Sequence, residues 1–428
     1  MRNGLLGYMT KVSFPYGTDF IDFNVPGKNL LRVLKPNETP ALRDLCKSVR
    51  DAIWNPIGTK RLHEIARRGD RVAIIINDIT RPVPNDQILP VVLEELTQGG
   101  IQKRDVVVVI ANGVHRANIP NEIRKLVGAP LYNSLEIHNH NAFDSKVITT
   151  IGRTVDGIPI SLNSHVAQAE RRVLIGSITP HHGAGYTGGR KSIFPGVSSY
   201  ETLKMLHGIE PVKPVLGELK GNLLHKNALE AAKVVGADFI INTVPNGEGK
   251  VSSVVAGDME RAWEQGLIFC DHVCRQKVPQ LADIVITCPG GFPRDIDLRQ
   301  SQKAISVAEM LVKENGVIIL VSKCSDGIGK EDLYELLKSA GSPQEMITKF
   351  RKIGFTASSR KAYMFARAML KGEIIVVTDG IKPEKLRDMM LTYAPTVEDA
   401  LDLSLQRMGR NAKIVAIPRA DCLIPVLD

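Results

Sequence analysis

The chain has 428 residues, a net charge of +9, 43% hydrophobic residues and 24% charged residues. At about 150 residues per domain, this predicts two or three domains with a sizeable core, and it excludes disordered, collagen-like and coiled-coil chains. No apolar run approaches the roughly 18 residues of a membrane span, so no membrane partner is expected. The first residues, MRNGLLGYMTKVSFPYG, carry no cationic segment feeding a long apolar one, and six cysteines make no disulfide framework. The expectation is a reduced, cytoplasmic protein. Basic residues are scattered without a run of five and aromatics are only 5% of the chain, so the positive charge points to small anions rather than nucleic acid.

In chain order, residues 11–25 alternate around a Tyr-Gly turn and predict a hairpin. Apolar residues at three- and four-residue spacing predict helices over 39–53 and 57–68. A βα rhythm follows, with a strand at 72–76, a helix at 84–98, a strand at 106–110 and a helix at 121–127. Later strands are predicted at 172–175, 239–242, 284–287, 317–321, 374–377 and 414–417, with helices at 199–207 and 259–274. Continuous apolar runs such as VVVVI suit parallel strands buried on both faces. The fold class is therefore α/β, in two doubly wound domains with mainly parallel sheets. A boundary near residues 277–281 divides an N-terminal α/β domain, 1–276, from a C-terminal one, 277–428, and the last strand fits either.

Four apolar runs end in conspicuously polar or glycine-rich segments. AIIIN leads into Asp78-Ile79-Thr80-Arg81-Pro82, and VVVVIAN into Gly113-Val114-His115-Arg116. RRVLIGSIT leads into PHHGAGYTGGRKS, and DIVITCP into GGFPRDIDLRQSQK. Ligands of open α/β sheets bind outside the carboxyl ends of strands, so these segments can converge on one crevice to which both domains contribute.

Taken singly, each motif has a plain reading as well. Asp78 and Arg81 can form an ion pair at a strand end, with Pro82 opening a turn. His115 can cap a turn. The glycines around Gly188 and Gly189 can admit an anion to backbone amides, but Arg190 before Lys191 breaks the Walker pattern. His181 and His182 can be metal ligands, although adjacent side chains usually point apart. His207 can be a solvated cation at a helix end. Gln300 and Lys303, at i,i+3 spacing, share one helix face that is either solvated or turned to the crevice.

Together these segments resemble the nickel-dependent lactate racemase family in order, spacing and strand-end placement, from about residue 10 to 420. The resemblance implies a nickel-pincer nucleotide, a nicotinate-derived mononucleotide holding nickel through sulfur and ring carbon. It implies covalent attachment of that cofactor to Lys191 and His207 as a nickel ligand, donor types suited to such a metal. Gly188, Gly189 and Arg190 would lie at the nucleotide phosphate. Asp78 and Thr80 fall among the cofactor-side positions, with Asp78 orienting a histidine or Arg81. His115 and His181 match the two catalytic histidines that exchange the hydroxyl proton for the two enantiomers. Arg81, Gln300 and Lys303 match the positions that hold the substrate carboxylate.

The implied activity is racemisation or epimerisation of a 2-hydroxy acid through hydride transfer coupled to that proton. Cofactor-biosynthesis enzymes would be maturation partners, and a homodimer is compatible with the sequence. Two departures matter. Arg299 stands where the family often has tyrosine, which predicts a dicarboxylic or larger polar substrate such as malate. His182 stands where an aromatic is frequent. Competing readings are a zinc hydrolase built on His115, His181, His207 and Asp78, and a non-catalytic anion- or nucleotide-binding protein.

Overall fold

The computed structural model describes residues 8–81, 83–208 and 215–428; Pro82, expected to open a turn, lies outside them. The described residues form two units. One runs from Glu38 to Val273, and the other joins the residues up to Asn37 to Cys274–Asp428.

The first unit is built on a six-stranded sheet in the order Val251–Gly257, Phe239–Pro245, Arg171–Ser177, Val72–Asn77, Val106–Ala111, Glu136–Asn139. All neighbours are parallel except the edge strand Val251–Gly257. The central strands are uninterrupted apolar runs because both faces are covered: Val72, Ile74, Ile76, Val106, Val108 and Ile110 are buried on one face, and Ala73, Ile75, Val107 and Val109 on the other. Each such side chain contributes about 1.5–3 kcal/mol on burial. The chain moves from Val72–Asn77 outward to Glu136–Asn139, then returns past its starting strand to Arg171–Ser177 and builds the other way. The strand order therefore reverses between Val72–Asn77 and Arg171–Ser177, where the loops after the two strands leave in opposite directions and open a crevice.

The second unit is built on a six-stranded sheet, all parallel, in the order Thr392–Ala394, Gly372–Val377, Val312–Val321, Ala282–Thr287, Ile414–Ile417, Leu30–Val33. Its order reverses between Ala282–Thr287 and Ile414–Ile417. The segment beginning at Gly290 leaves the first of these strands, and Arg294 pairs with Asp421 beyond the second. A buried ion pair, Arg367 Nε to Glu309 Oε1 at 2.7 Å, ties the helix Ala357–Lys371 to the helix Leu298–Glu309.

The contiguous division at residue 276 is modified by the N-terminal segment. The hairpin Met9–Tyr16/Asp19–Pro26 buries Val12, Phe14, Phe23 and Val25 in the core of the second unit, and Leu30–Val33 closes that unit's sheet edge. Asn29 fixes the register, because its amide donates to the carbonyls of Arg410 and Ala412. The strand Ile414–Ile417, left open by the sequence, is interior to the second sheet.

Two predicted helices are shorter than expected. The first begins only at Leu45, because Asp44 accepts the Lys47 N–H as an N-cap at 2.9 Å. The one predicted over 57–68 is a single turn, Leu62–Ile65, closed when Asp70 accepts the Arg67 N–H. None of the six cysteines, all among the described residues, is in a disulfide. Among the described residues, no helix is long and apolar enough to cross a membrane.

Candidate active site

Asp78 follows directly on the strand Val72–Asn77 and is 3% exposed. Its Oδ2 lies 2.6 Å from His115 Nδ1, and its Oδ1 accepts the Thr80 hydroxyl at 2.7 Å. Burial alone would raise the Asp78 pKa. The His115 hydrogen bond and charge, the Thr80 hydroxyl and the Arg81 charge outweigh it and hold the carboxyl below its usual value. An ionised carboxylate only accepts, so His115 donates Nδ1–H and carries its lone pair on Nε2. Arg81, on the exposed side, donates to Thr80 at 3.1 Å. The turn carrying His115 is set by the His115 N–H bonding the Asn112 carbonyl at 2.8 Å. Gly113 allows this turn with φ 54, a left-handed value.

His181 sits in the two-residue ladder Pro180–His181 against Gly185–Tyr186. Its Nδ1 accepts the backbone N–H groups of Gly183 at 3.1 Å and Ala184 at 3.0 Å. Both donors are amides, so Nδ1 is bare and the neutral ring carries its proton on Nε2. Burial pushes His181 well below the ordinary histidine value, and Lys191, His182, Arg81 and His207 push the same way. The two histidines thus present opposite forms, His115 with a lone pair on Nε2 and His181 with Nε2–H. The rings of His181 and His182 stack, with centroids 4.6 Å apart, so these neighbours do not point apart as expected. The tight turn after His181 overrides the usual divergence.

Lys191 lies on the short turn Gly189–Ser192. Its carbonyl accepts the Gly196 N–H at 3.1 Å, and the Gly196 carbonyl accepts the Gly113 N–H at 2.9 Å. This relay fixes the lysine turn to the loop carrying His115. The glycines expected at the nucleotide phosphate are engaged within the protein. The Gly189 N–H is taken by Asn242 Oδ1 at 2.8 Å, and a Cβ on Gly188 would lie 2.6 Å from that same oxygen.

Arg190 is fully buried. It donates to the Ala184 carbonyl at 2.9 Å and to His225 Nδ1 at 3.2 Å, and it lies 3.9 Å over the Trp263 ring. Burial lowers its pKa to about 9. The guanidinium therefore clamps the loop from inside. His207, near the end of the helix Tyr200–Gly208, bonds the Leu203 carbonyl through Nδ1 at 3.2 Å. That contact fixes the ring with its lone pair on Nε2, the form a metal takes.

In the second unit, the helix Leu298–Glu309 is capped by Asp297, which accepts the Gln300 N–H at 2.6 Å. Lys303 is exposed, whereas Arg299 and Gln300 are half-buried. Arg299 Nε is buried and, among the described residues, has no hydrogen-bond partner. Sequence reasoning missed Asn242, Trp263 and His225, which hold the lysine turn. An asparagine inside the apolar run FIINTV was the available signal, because a fully buried polar side chain in a strand must answer a specific partner.

Among the described residues, His115, His181, His207 and Asp78 do not gather at metal-ligand distance, which removes the geometric basis of the zinc-hydrolase reading. Glu136, His138 and His165 do gather, but Arg71 already pairs with that carboxylate at 3.1 Å.

Residues 16–214 match the lactate racemase N-terminal domain family, and residues 277–424 match the lactate racemase C-terminal domain family. This chain belongs to the lactate racemase family. Lactate racemase of Thermoanaerobacterium thermosaccharolyticum is 31% identical over 418 residues, covering 96% of this chain and 98% of the relative. Lactate racemase of Lactiplantibacillus plantarum is 31% identical over 419 residues, with the same coverage. The solved lactate racemase apoprotein from T. thermosaccharolyticum superposes with a TM-score of 0.91 at 30% identity, covering 97% of this chain and all of that one. A Thermotoga maritima protein, 15% identical with a TM-score of 0.67, shares the fold. The chain is accordingly an isomerase, a racemase of the lactate-racemase kind.

Proposed function

We propose that the chain racemises or epimerises a 2-hydroxy acid, with His115 and His181 exchanging the hydroxyl proton. The observation that carries this reading is how the two rings are held: Asp78 engages His115 Nδ1 and two backbone amides engage His181 Nδ1, so in each ring Nε2 is the nitrogen left to meet the substrate hydroxyl. A racemase needs one base and one acid at each turnover, and their roles exchange when the other enantiomer reacts. The lowered His181 pKa keeps the ring neutral before substrate binds, so serving as the acid requires it first to take up a proton and become the imidazolium, which an anionic substrate beside it would favour.

Lys191 and His207 fit a tethered nickel-pincer nucleotide. Both act electrostatically on His181, and the Leu203 carbonyl fixes His207 with Nε2 as its donor atom. Lys191 would bear the cofactor and His207 would ligate nickel. Such a cofactor supplies an acceptor for the C2 hydrogen as hydride, avoiding the very unstable dianion that proton removal beside a carboxylate would form.

The chain's own residues do the rest. Asp78 holds His115 in register and stabilises its cation after it takes the hydroxyl proton. Arg81, Gln300 and Lys303 hold the substrate carboxylate by charge-assisted bonds. Arg299 favours a further anionic group, which makes malate a better candidate than lactate. The cytoplasm is the proposed compartment, and maturation would draw on cofactor-biosynthesis enzymes.

The test is chiral analysis of cofactor-loaded protein incubated with single enantiomers of lactate and malate, with intact mass measured alongside. Racemisation together with a lysine-linked adduct of nucleotide size supports the reading. Fully loaded protein that leaves every 2-hydroxy acid unchanged refutes it.

A further inference from the structure

Glu136, His138 and His165 form a cluster on the first unit that the racemase reading does not use. Glu136 and His138 sit two residues apart on the edge strand Glu136–Asn139, so they share one face while Ile137 between them packs on the core. His165 comes from the short turn of helix Ser164–Gln168. Asn163 holds it there by accepting the His165 N–H at 3.0 Å, and the buried Val166 anchors the same turn. The imidazoles of His138 and His165 stack, with centroids 4.1 Å apart and planes inclined by 20°. Glu136 is exposed and both histidines are half-buried, so the cluster opens to solvent.

Both rings address one carboxylate oxygen. His138 Nε2 lies 2.8 Å from Glu136 Oε1, and His165 Nδ1 lies 3.9 Å from the same atom, beyond hydrogen-bond reach. Donors held by one tetrahedral zinc at about 2.0–2.1 Å stand roughly 3.3 Å apart. The two observed separations bracket that value, and all three ligand atoms lie within 4.8 Å of one another. Arg71 approaches the same carboxylate, nearer to Oε2 at 3.1 Å than to Oε1 at 3.3 Å. Its side chain is exposed, so it can keep Oε2 while Oε1 serves an ion. The cluster lies toward the amino ends of the strands: Arg71 precedes Val72 and Glu136 opens its own strand. Asp78 and His115 follow carboxyl ends, which separates this cluster from the candidate active site.

We propose that Glu136 Oε1, His138 Nε2 and His165 Nδ1 bind a divalent transition-metal ion of the zinc type, with water completing the coordination. Two imidazoles and a carboxylate suit zinc, whereas magnesium and calcium take oxygen donors. The ion takes the place of the hydrogen between His138 Nε2 and Glu136 Oε1, and each ring keeps its proton on the nitrogen facing away. Bound there, it ties the edge strand Glu136–Asn139 to the turn Ser164–Gln168 and braces this side of the first unit. The inference stands independently of the racemase reading.

Zinc is titrated into the full-length chain at neutral pH by calorimetry, for wild type, His138→Gln and His165→Gln. Wild type should bind zinc, and each variant should weaken that event by about tenfold or more, since losing a direct ligand costs at least as much as losing a partner behind one. Zinc should also raise the thermal midpoint of wild type, and raise it less in either variant. A wild type that binds no zinc overturns the proposal, as does binding unchanged in both folded variants. Binding lost in His207→Gln but kept in both variants places the ion at the racemase residues and overturns it too. The wild type alone supplies a further measurement. Crystals grown with zinc should give a zinc-edge anomalous peak between His138 Nε2 and His165 Nδ1, and a peak only elsewhere refutes the site.

Discussion

Asp78 and His115 are joined carboxylate to imidazole at 2.6 Å, across two adjacent parallel strands whose residues Asn77 and Ala111 are in register. The pairing of the strands thus brings together two side chains 37 positions apart, and the carboxylate fixes which ring nitrogen faces the ligand.

Asp78→Asn should keep the fold but lower kcat of the loaded enzyme by about 10–100-fold, the usual cost of losing a partner that orients a histidine. The amide no longer fixes Nδ1–H or stabilises the imidazolium. The variant also tests the pH linkage. The Asp78 pKa is depressed on folding, so its stabilisation is present above the ordinary value of 3.8 and is lost as pH falls through the folded value. The stability difference between wild type and variant should therefore be full at pH 6 and shrink below about pH 3.8. A difference constant down to pH 3 by urea denaturation would contradict this.

His181 shows the same sign in a higher pH window. Its pKa is lowered in the folded state, so protonation favours the unfolded chain as pH falls below the ordinary value of 6.5. Histidine-detected NMR of the unloaded protein should show no titration of His181 between pH 7 and 5.5. His181→Gln should lose less thermal stability than wild type over that interval. A His181 resonance titrating near 6.5 would remove the argument that its ring stays neutral.

His115→Ala and His181→Ala should each retain the lysine adduct by intact mass while racemisation falls by about 10²–10⁴-fold, the usual contribution of a positioned acid or base. Lys191→Ala should lose the adduct altogether. If either histidine variant is loaded and fully active, the two-histidine assignment fails.

Arg190→Met should destabilise the first unit by about 2–4 kcal/mol, because the Ala184 carbonyl and His225 lose a buried donor and the face of Trp263 loses its cation. Loading of Lys191 should fall with it, since the turn loses its internal clamp. Chemical denaturation and adduct stoichiometry measure the two effects. An unaltered midpoint would show that the guanidinium does not hold the loop.

The sequence by itself determined the α/β class, the central strands and the positions of the chemistry-bearing segments. Those are local properties: an uninterrupted Val/Ile run marks a doubly covered strand, and polar residues at its carboxyl end mark a ligand-facing loop. It did not determine helix starts such as Leu45, because a cap by Asp44 overrides apolar spacing. Tertiary structure decided the rest. It assigned the N-terminal hairpin to the second unit through long-range pairing of Leu30–Val33 with Ile414–Ile417. It turned Arg190 inward, since a guanidinium can meet carbonyls and an indole face only once three distant segments have packed. It set the ring forms of His115 and His181, because a tautomer follows the hydrogen-bond partner rather than the residue type.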